Sequence, residues 1–585
     1  MRLIYTFILV NLLFHHVYSQ IVPARPLGIY VTWGAHDQLS DNVKLTDDII
    51  NKELDQYLTL RNYGTTLDYF LIDMYWFDSA NGAYAAFDPQ NFTSGIDPIL
   101  DKCKQNNVTL GLWISPNVLG WNDKVKWIQY QDKWADAASK NKLQMAMYTG
   151  SYLPEVIKNM QMWYDKGIRL MKLDFVALWA AKAGDETKYT ELQIRKMNED
   201  ALYAALTAFR KKNPEVVMIG YNGFDTGTKP AWPDWVSEKE IKTSVNPKWL
   251  DVLHAMFCGD PAFGRIPTSS MWRSMDYYSD QMLREFHFNK IPLRRIDHSS
   301  FFITNTGTGY WRKTSAWKAM LVLALSRGSY FNTYYGNLEL LSDTDKQWFA
   351  HAQSLYFEAL QSGNTSVWGA FPSENQPFGY ITKTGIGELF TVCNPSQSFK
   401  KITLPVNTLK YKILFADKGY VPAVENGQLS LGPEQMAVIG LNEYAQDKFV
   451  LGVEEDIIIP KYINPLAANF TRTAKNTYAG EVKCTAKSDI RVVIEFTDSL
   501  GKAVNIKSLK DMTPMSDNII ITAKTLTKNI PVQIKHNKII WSGLNFVCVE
   551  LKNTDLSGVE TFKLECKINH YNKYFIKPSV YEVKY

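Results

Sequence analysis

The chain has 585 residues, 64 Lys and Arg against 59 Asp and Glu, and 17 Trp and 32 Tyr. This length is too great for a single hydrophobic core and predicts roughly two to four domains. A formal net charge of +5 with no basic block excludes nucleic acid as a partner.

In chain order, Arg2, the apolar run 3–13 and Val17-Tyr18-Ser19 before Gln20 read as a secretory signal over 1–19. Such a chain is expected to be secreted or periplasmic. Neither this run nor any later one is long enough to cross a bilayer, so no integral membrane segment is expected.

From 20 to 365, short apolar runs alternate with helical patterns. Candidate strands are 27–33, 68–76, 109–114, 169–175, 216–221, 272–276, 295–302 and 328–333. Helical spacing marks 46–62, 97–105, 153–166, 190–212, 278–289 and 314–326 between them. This alternation predicts an α/β fold, a (β/α)8 TIM barrel, and no G-x-G-x-x-G or Walker lysine motif favours a nucleotide fold instead. Two β-rich blocks follow: an antiparallel β-sandwich over 366–448, and an accessory sandwich-like domain over 449–585.

The chemistry concentrates in Arg169-Leu-Met-Lys172-Leu-Asp174-Phe175. Lys172 and Asp174 are two apart and share one face of a strand, at the end where barrel enzymes collect catalytic groups. The pair suits a nucleophilic carboxylate beside an ammonium, or a plain strand-end salt bridge. If 272–276 is the sixth strand, Asp276 shares the rim with Asp174. Two carboxyls across a barrel mouth are what glycoside hydrolysis requires. Asp260, in Cys258-Gly-Asp260-Pro, competes as the acid. Asp73 ends the second strand, and Trp33 and Trp76 are candidate sugar-stacking rings. The loop 305–311 is placed to touch substrate, and Arg294, Arg295, Asp297 and His298 read as a rim network or, more simply, an ion-pair cluster.

These motifs resemble those of the retaining α-galactosidase clan, glycoside hydrolase families 27 and 36, over roughly residues 26–365. Met171-Lys172-Leu173-Asp174-Phe175 is similar to its K-x-D nucleophile strand, and Leu71-Ile72-Asp73-Met74-Tyr75-Trp76 to its second-strand D-D-x-W motif. Leu27-Gly-Ile-Tyr-Val-Thr-Trp33 resembles its first strand, and Trp272-Arg273-Ser274-Met275-Asp276 its acid/base segment. The resemblance implies Asp174 as nucleophile, Asp276 as acid/base, and Lys172, Asp73 and Arg273 as binders of sugar hydroxyls. Asn222 or Cys258 would stand in the fifth-strand region.

This chain departs from the clan in three places. Met74 replaces the second aspartate, residues 231–270 form an insertion, and Arg273 and Asp276 are one residue closer than usual. The expected activity is that of a secreted retaining α-glycosidase, α-galactosidase-like, acting on an oligosaccharide or polysaccharide. A glucoside, arabinopyranoside or N-acetylgalactosaminide specificity, or a non-catalytic carbohydrate-binding barrel, stays open. No cofactor and no metal are expected, since the nine His form no ligand motif and the six Cys no C-x-x-C pair. Cys484, Cys548 and Cys566 are candidates for one disulfide. No motif bears on oligomeric state.

Overall fold

The structure, a computed structural model, describes residues 22–33, 44–78, 81–118, 133–140, 143–221, 224, 246–259, 266–304, 312–406, 408, 410–484, 487–504, 506, 513–514, 518–535, 538–539, 543–569 and 574–585. The expected signal, Asn222, Asp260, the loop 305–311 and much of the 231–270 insertion lie outside them.

Eight parallel strands close into a barrel in sequence order. They are β1 (Leu27–Val31), β2 (Tyr69–Ile72), β3 (Thr109–Ile114), β4 (Leu170–Leu173), β5 (Val217–Gly220), β6 (Ala255–Phe257), β7 (Ile296–Ile303) and β8 (Phe331–Gly336). Helices α1 (Asp47–Asn62), α2 (Asp97–Gln105), α3 (Tyr152–Asp165), α4 (Glu191–Lys212), α5 (Met271–Phe288), α6 (Trp317–Ser326) and α7 (Asp343–Ser362) lie between and after the strands. Barrel strands are covered on both faces, so they read as continuous apolar runs. In β3, for example, every residue after Thr109 is buried. Gly28 is required where β1 passes the preceding loop, since a Cβ there would stand 2.0 Å from the Thr66 carbonyl oxygen. Helix starts are set locally: Thr46 Oγ1 caps α1 through the Ile49 N–H, and Thr190 with Gln193 forms a capping box on α4.

The sixth strand differs from expectation. Residues 272–276 open α5, and β6 lies upstream at Ala255–Phe257. Buried Met275, Tyr278, Met282 and Phe286 recur at spacings of three and four, which is helical, and a three-residue strand leaves too short a run to compete as a signal.

The chain forms two compact units, one of Met1–Gly259, Glu285–Ser300 and Ser329–Ser354, the other of Asp260–Arg284, Phe301–Gly328 and Leu355–Tyr585. The second unit contains most of α5, all of α6 and the β-domains. Its first sandwich comprises β9 (Asn364–Gly369), β10 (Phe378–Lys383), β11 (Gly387–Cys393), β12 (Lys400–Thr403), β13 (Tyr411–Gly419), β14 (Ala423–Glu425), β15 (Gln428–Leu431), β16 (Met436–Asn442) and β17 (Gly452–Ile459). A six-stranded sheet of order β17-β13-β16-β11-β10-β9 and a three-stranded sheet β12-β15-β14 share a core of Phe390, Val392, Leu429, Leu431 and Ile439. β17 pairs parallel with β13, so this sandwich continues past the expected boundary at 448.

Beyond it, two five-stranded sheets centred on Asp489–Thr497 and Thr561–Ile568 enclose Val492, Ile494, Phe546, Val549 and Leu564. All six cysteines are free, so the bridge considered among Cys484, Cys548 and Cys566 is not formed. No helix among the described residues is long and apolar enough to cross a membrane.

Candidate active site

The first unit brings a set of charged and aromatic side chains to the C-terminal ends of the barrel strands. Lys172, the third residue of β4, reaches past β3 to Asp73, which directly follows β2. Its Nζ lies 2.7 Å from Asp73 Oδ2, with both side chains buried. Asp73 is held by its neighbours: its own N–H donates to Thr32 Oγ1, and the Met74 N–H donates to Asp73 Oδ1. The Lys172 ammonium also lies 4.3 Å from the Tyr221 ring centroid and 5.6 Å from that of Tyr335.

Asp174 follows β4 directly and is 5 % exposed. Trp113 Nε1 donates to its Oδ2 at 3.0 Å, and the Phe175 N–H donates to its Oδ1 at 2.7 Å. Burial pushes the Asp174 pKa up; the charge of Lys172 and the Trp113 hydrogen bond oppose this, while Asp73 adds to it. The chain is strained beside both acids. Phe175 has φ +51° and Tyr75 φ +80°, left-handed values that bulky residues rarely adopt. Trp33 is half-buried and stacks on Tyr75, with ring centroids 6.3 Å apart and planes 23° apart. Trp33, Asp73, Lys172 and Asp174 therefore stand at the ends of β1, β2 and β4.

Three other candidates lie elsewhere. Trp76 is fully buried, donates its Nε1 hydrogen to the Trp113 carbonyl and packs among Phe77, Tyr84, Phe87 and Trp163. It is a core residue, and no face of it is open to a sugar. Arg273 and Asp276 sit in α5, not at a strand end. Arg273 pairs with Asp417 with both side chains fully buried, and Asp276 accepts from Arg312 Nη1 and Nη2 at 2.7 and 3.0 Å. Asp280 and Arg284 continue the same helix face. Asp280 is bound by Arg327 and Tyr380, and Arg284 donates to the carbonyls of Trp368, Ala370 and Gly379. Spacings of three, four and four make this one polar helix stripe within the second unit.

A second cluster gathers around Asp297, which the sequence offered for a rim network or an ion-pair cluster; its partners Tyr221, Thr333 and Tyr335 were not foreseen. Asp297 on β7 is fully buried and accepts from the Tyr221 hydroxyl at 2.5 Å and from Thr333 Oγ1 at 2.6 Å. The Tyr221 and Tyr335 hydroxyls are 3.2 Å apart. Burial pushes Asp297 up to about 6. Asp297 is no part of an ion-pair cluster with Arg295, whose guanidinium instead donates to the carbonyls of Leu250, Leu253 and His254. The available signal was the two-residue spacing of Thr333 and Tyr335, which puts both on one face of β8.

Among the described residues, no group of three or more His, Cys, Asp or Glu is arranged to hold a metal ion.

No protein-family model matches this sequence, and no curated protein is similar to it. Solved structures are similar at a low level. The galactosidase domain of an α-galactosidase–sucrose kinase is 15 % identical, with a TM-score of 0.48 over 71 % of this chain and 55 % of that one. A family 36 α-galactosidase from Geobacillus stearothermophilus is 12 % identical, with a TM-score of 0.48 over 71 % of this chain and 56 % of that one. The α-galactosidase from Lactobacillus brevis is 12 % identical, with a TM-score of 0.49 over 72 % and 55 %. The chain thus spans little more than half the length of these proteins, and likeness at this level does not carry an activity from one chain to another.

Proposed function

We propose that this protein is a retaining glycoside hydrolase that removes terminal α-linked sugars, with an α-galactoside as the first substrate to test. The observation that carries this reading is Asp174. It is a buried carboxylate aimed by Trp113 and the Phe175 N–H, at the catalytic end of a parallel barrel strand, beside the Lys172–Asp73 pair. In the proposed reaction an Asp174 oxygen attacks the anomeric carbon while the glycosidic C–O bond breaks and the leaving oxygen takes a proton from a second carboxyl. That carboxylate then removes a proton from water, which attacks the same carbon, and Asp174 is released.

Among the described residues, Asp73, Asp174 and Asp297 gather around the ammonium of Lys172, and an excess of carboxylates suits an oxocarbenium-like transition state. Lys172 and Asp73 would exchange part of their mutual contact for hydroxyls of the bound sugar, and Trp33 with Tyr75 would offer a ring face.

For the acid/base we propose Asp260 rather than Asp276. Asp260, in Cys258-Gly-Asp260-Pro, is the competing acid that the sequence offers. Asp276 is committed to Arg312 inside a helix. We further propose that the N-terminal 1–19 segment directs export.

The test is a fluorinated glycosyl inactivator followed by peptide mapping, with galactosyl, glucosyl, arabinosyl and N-acetylgalactosaminyl leaving-group substrates run in parallel. Label on the Asp174 peptide supports the mechanism, and label on any other carboxyl overturns it. Hydrolysis of the glucoside alone would move the sugar assignment away from galactose.

A further inference from the structure

We propose that Asp297 is a positioning residue for this reaction: through the Tyr221 hydroxyl it orients the aromatic face that seats Lys172. The inference rests on the glycosidase reading and adds to it a residue two contacts away from the substrate. The chain of contacts is continuous within the first unit. Asp297 Oδ2 accepts from Tyr221 at 2.5 Å, the Tyr221 ring centroid lies 4.3 Å from Lys172 Nζ, and Lys172 is 2.7 Å from Asp73. Tyr221 is clamped from its other side by Phe257, with centroids 4.1 Å apart and planes 19° apart. Stacking fixes the plane of the ring, and the hydrogen bond to Asp297 fixes where the ring lies within that plane. Tyr335, 3.2 Å away, is the competing partner.

A cation over a ring is held only as well as the ring is held. Were Asp297 merely a buried acid tolerated by the core, an Asn or a small apolar residue would fill the space at lower desolvation cost. A carboxylate there accepts from two hydroxyls at once, Tyr221 and Thr333, which a protonated carboxyl cannot do with the same two oxygens. The groups facing Asp297 are Tyr221 after β5, Thr333 and Tyr335 on β8, Lys172 on β4, and the backbone N–H of His298 on its own strand. Burial sets its titration at about 6, and the hydrogen bonds from Thr333 and Tyr221 hold it lower than burial alone would. On protonation the carboxyl no longer accepts from both hydroxyls, the Tyr221 ring is held less firmly, and the seat of Lys172 loosens. Activity therefore rises with pH as Asp297 ionises.

The experiment compares pH profiles of kcat/KM for the full chain and its Asp297→Asn, Tyr221→Phe and Thr333→Val variants, with thermal unfolding alongside and Asp174→Asn as control. The expected result is an inflection near pH 6 that moves upward in Y221F and T333V, because each removes one donor to the carboxylate, and disappears in D297N. D297N is further expected to lower kcat/KM on the order of tenfold. If D297N does not fold, Y221F and T333V carry the same test, since both keep the carboxylate. Variants that lose only thermal stability and keep the wild-type profile overturn the inference. An active D174N would instead overturn the glycosidase reading itself, so the two failures are distinct.

Discussion

The Lys172 ammonium is bound to Asp73 across the barrel interior, not to Asp174, although Asp174 is its near neighbour in sequence and on the same strand face. The pairing separates two tasks. Asp73 neutralises the buried lysine at 2.7 Å, while Asp174 accepts from an indole and a backbone N–H and feels the lysine charge.

Lys172→Met and Asp73→Asn are each expected to lower stability by about 3–5 kcal/mol, because each leaves a buried group without its partner. The double variant should recover most of that loss, as the two effects share one cause. Denaturant unfolding of the four proteins measures the coupling, and losses that simply add would show that the pair is not held as described. Activity is expected to stay low in all three variants.

Asp174→Asn is expected to lower kcat/KM by at least on the order of a thousandfold and, at neutral pH, to raise the melting temperature. The sign follows from linkage. Burial lifts the folded-state pKa of Asp174 above that of an ordinary aspartate, so its protonated form favours the fold and that contribution is lost as pH rises through the folded value. Replacing the acid removes this penalty at pH 7 and changes nothing below pH 3.8. A thermal-shift series from pH 3 to 8 reads it directly, and a stability gain that persists at the acid end would contradict the argument.

Asp276 and Arg312 form a bidentate, buried pair within the second unit. Asp276→Asn should therefore cost about 3–5 kcal/mol in stability while the folded fraction keeps its kcat. Asp260→Asn should remove most of the activity, least of all on substrates whose leaving group needs no proton. Comparing phenyl with dinitrophenyl glycosides in both variants identifies the acid.

The two tryptophans of the expected sugar platform should behave in opposite ways. Trp76→Ala opens a hole in the aromatic core and is expected to destabilise by about 3–5 kcal/mol. Trp33→Ala, at a half-buried position, should raise KM several-fold with little change in unfolding. Calorimetry and steady-state kinetics on both variants separate a packing role from a binding one.

Much of this arrangement was legible in the residues alone. The alternation of apolar runs and helical spacing gave the parallel barrel, because strands covered on both faces must be continuously apolar. K-x-D placed Lys172 and Asp174 on one strand face, because side-chain direction in a strand alternates with a period of two. The 272–276 segment was misread because five residues of mixed polarity fit either a short strand or one turn and a half of helix. The recurrence that decides it, Met275 to Phe286, becomes clear only over three turns. Arg273 and Asp276 looked like site residues for the same reason. Charges are legible in sequence, and their burial is not.

Sequence by itself determined the fold class and the strand that carries Asp174, since both depend on local periodicity and short spacings. Tertiary structure decided which groups meet. Asp73 and Lys172 are 99 residues apart and Tyr221 and Asp297 are 76 apart, distances that only barrel closure removes. It also decided which charges are structural, because whether a carboxylate faces a barrel mouth or an arginine inside another unit depends on contacts that no local pattern encodes.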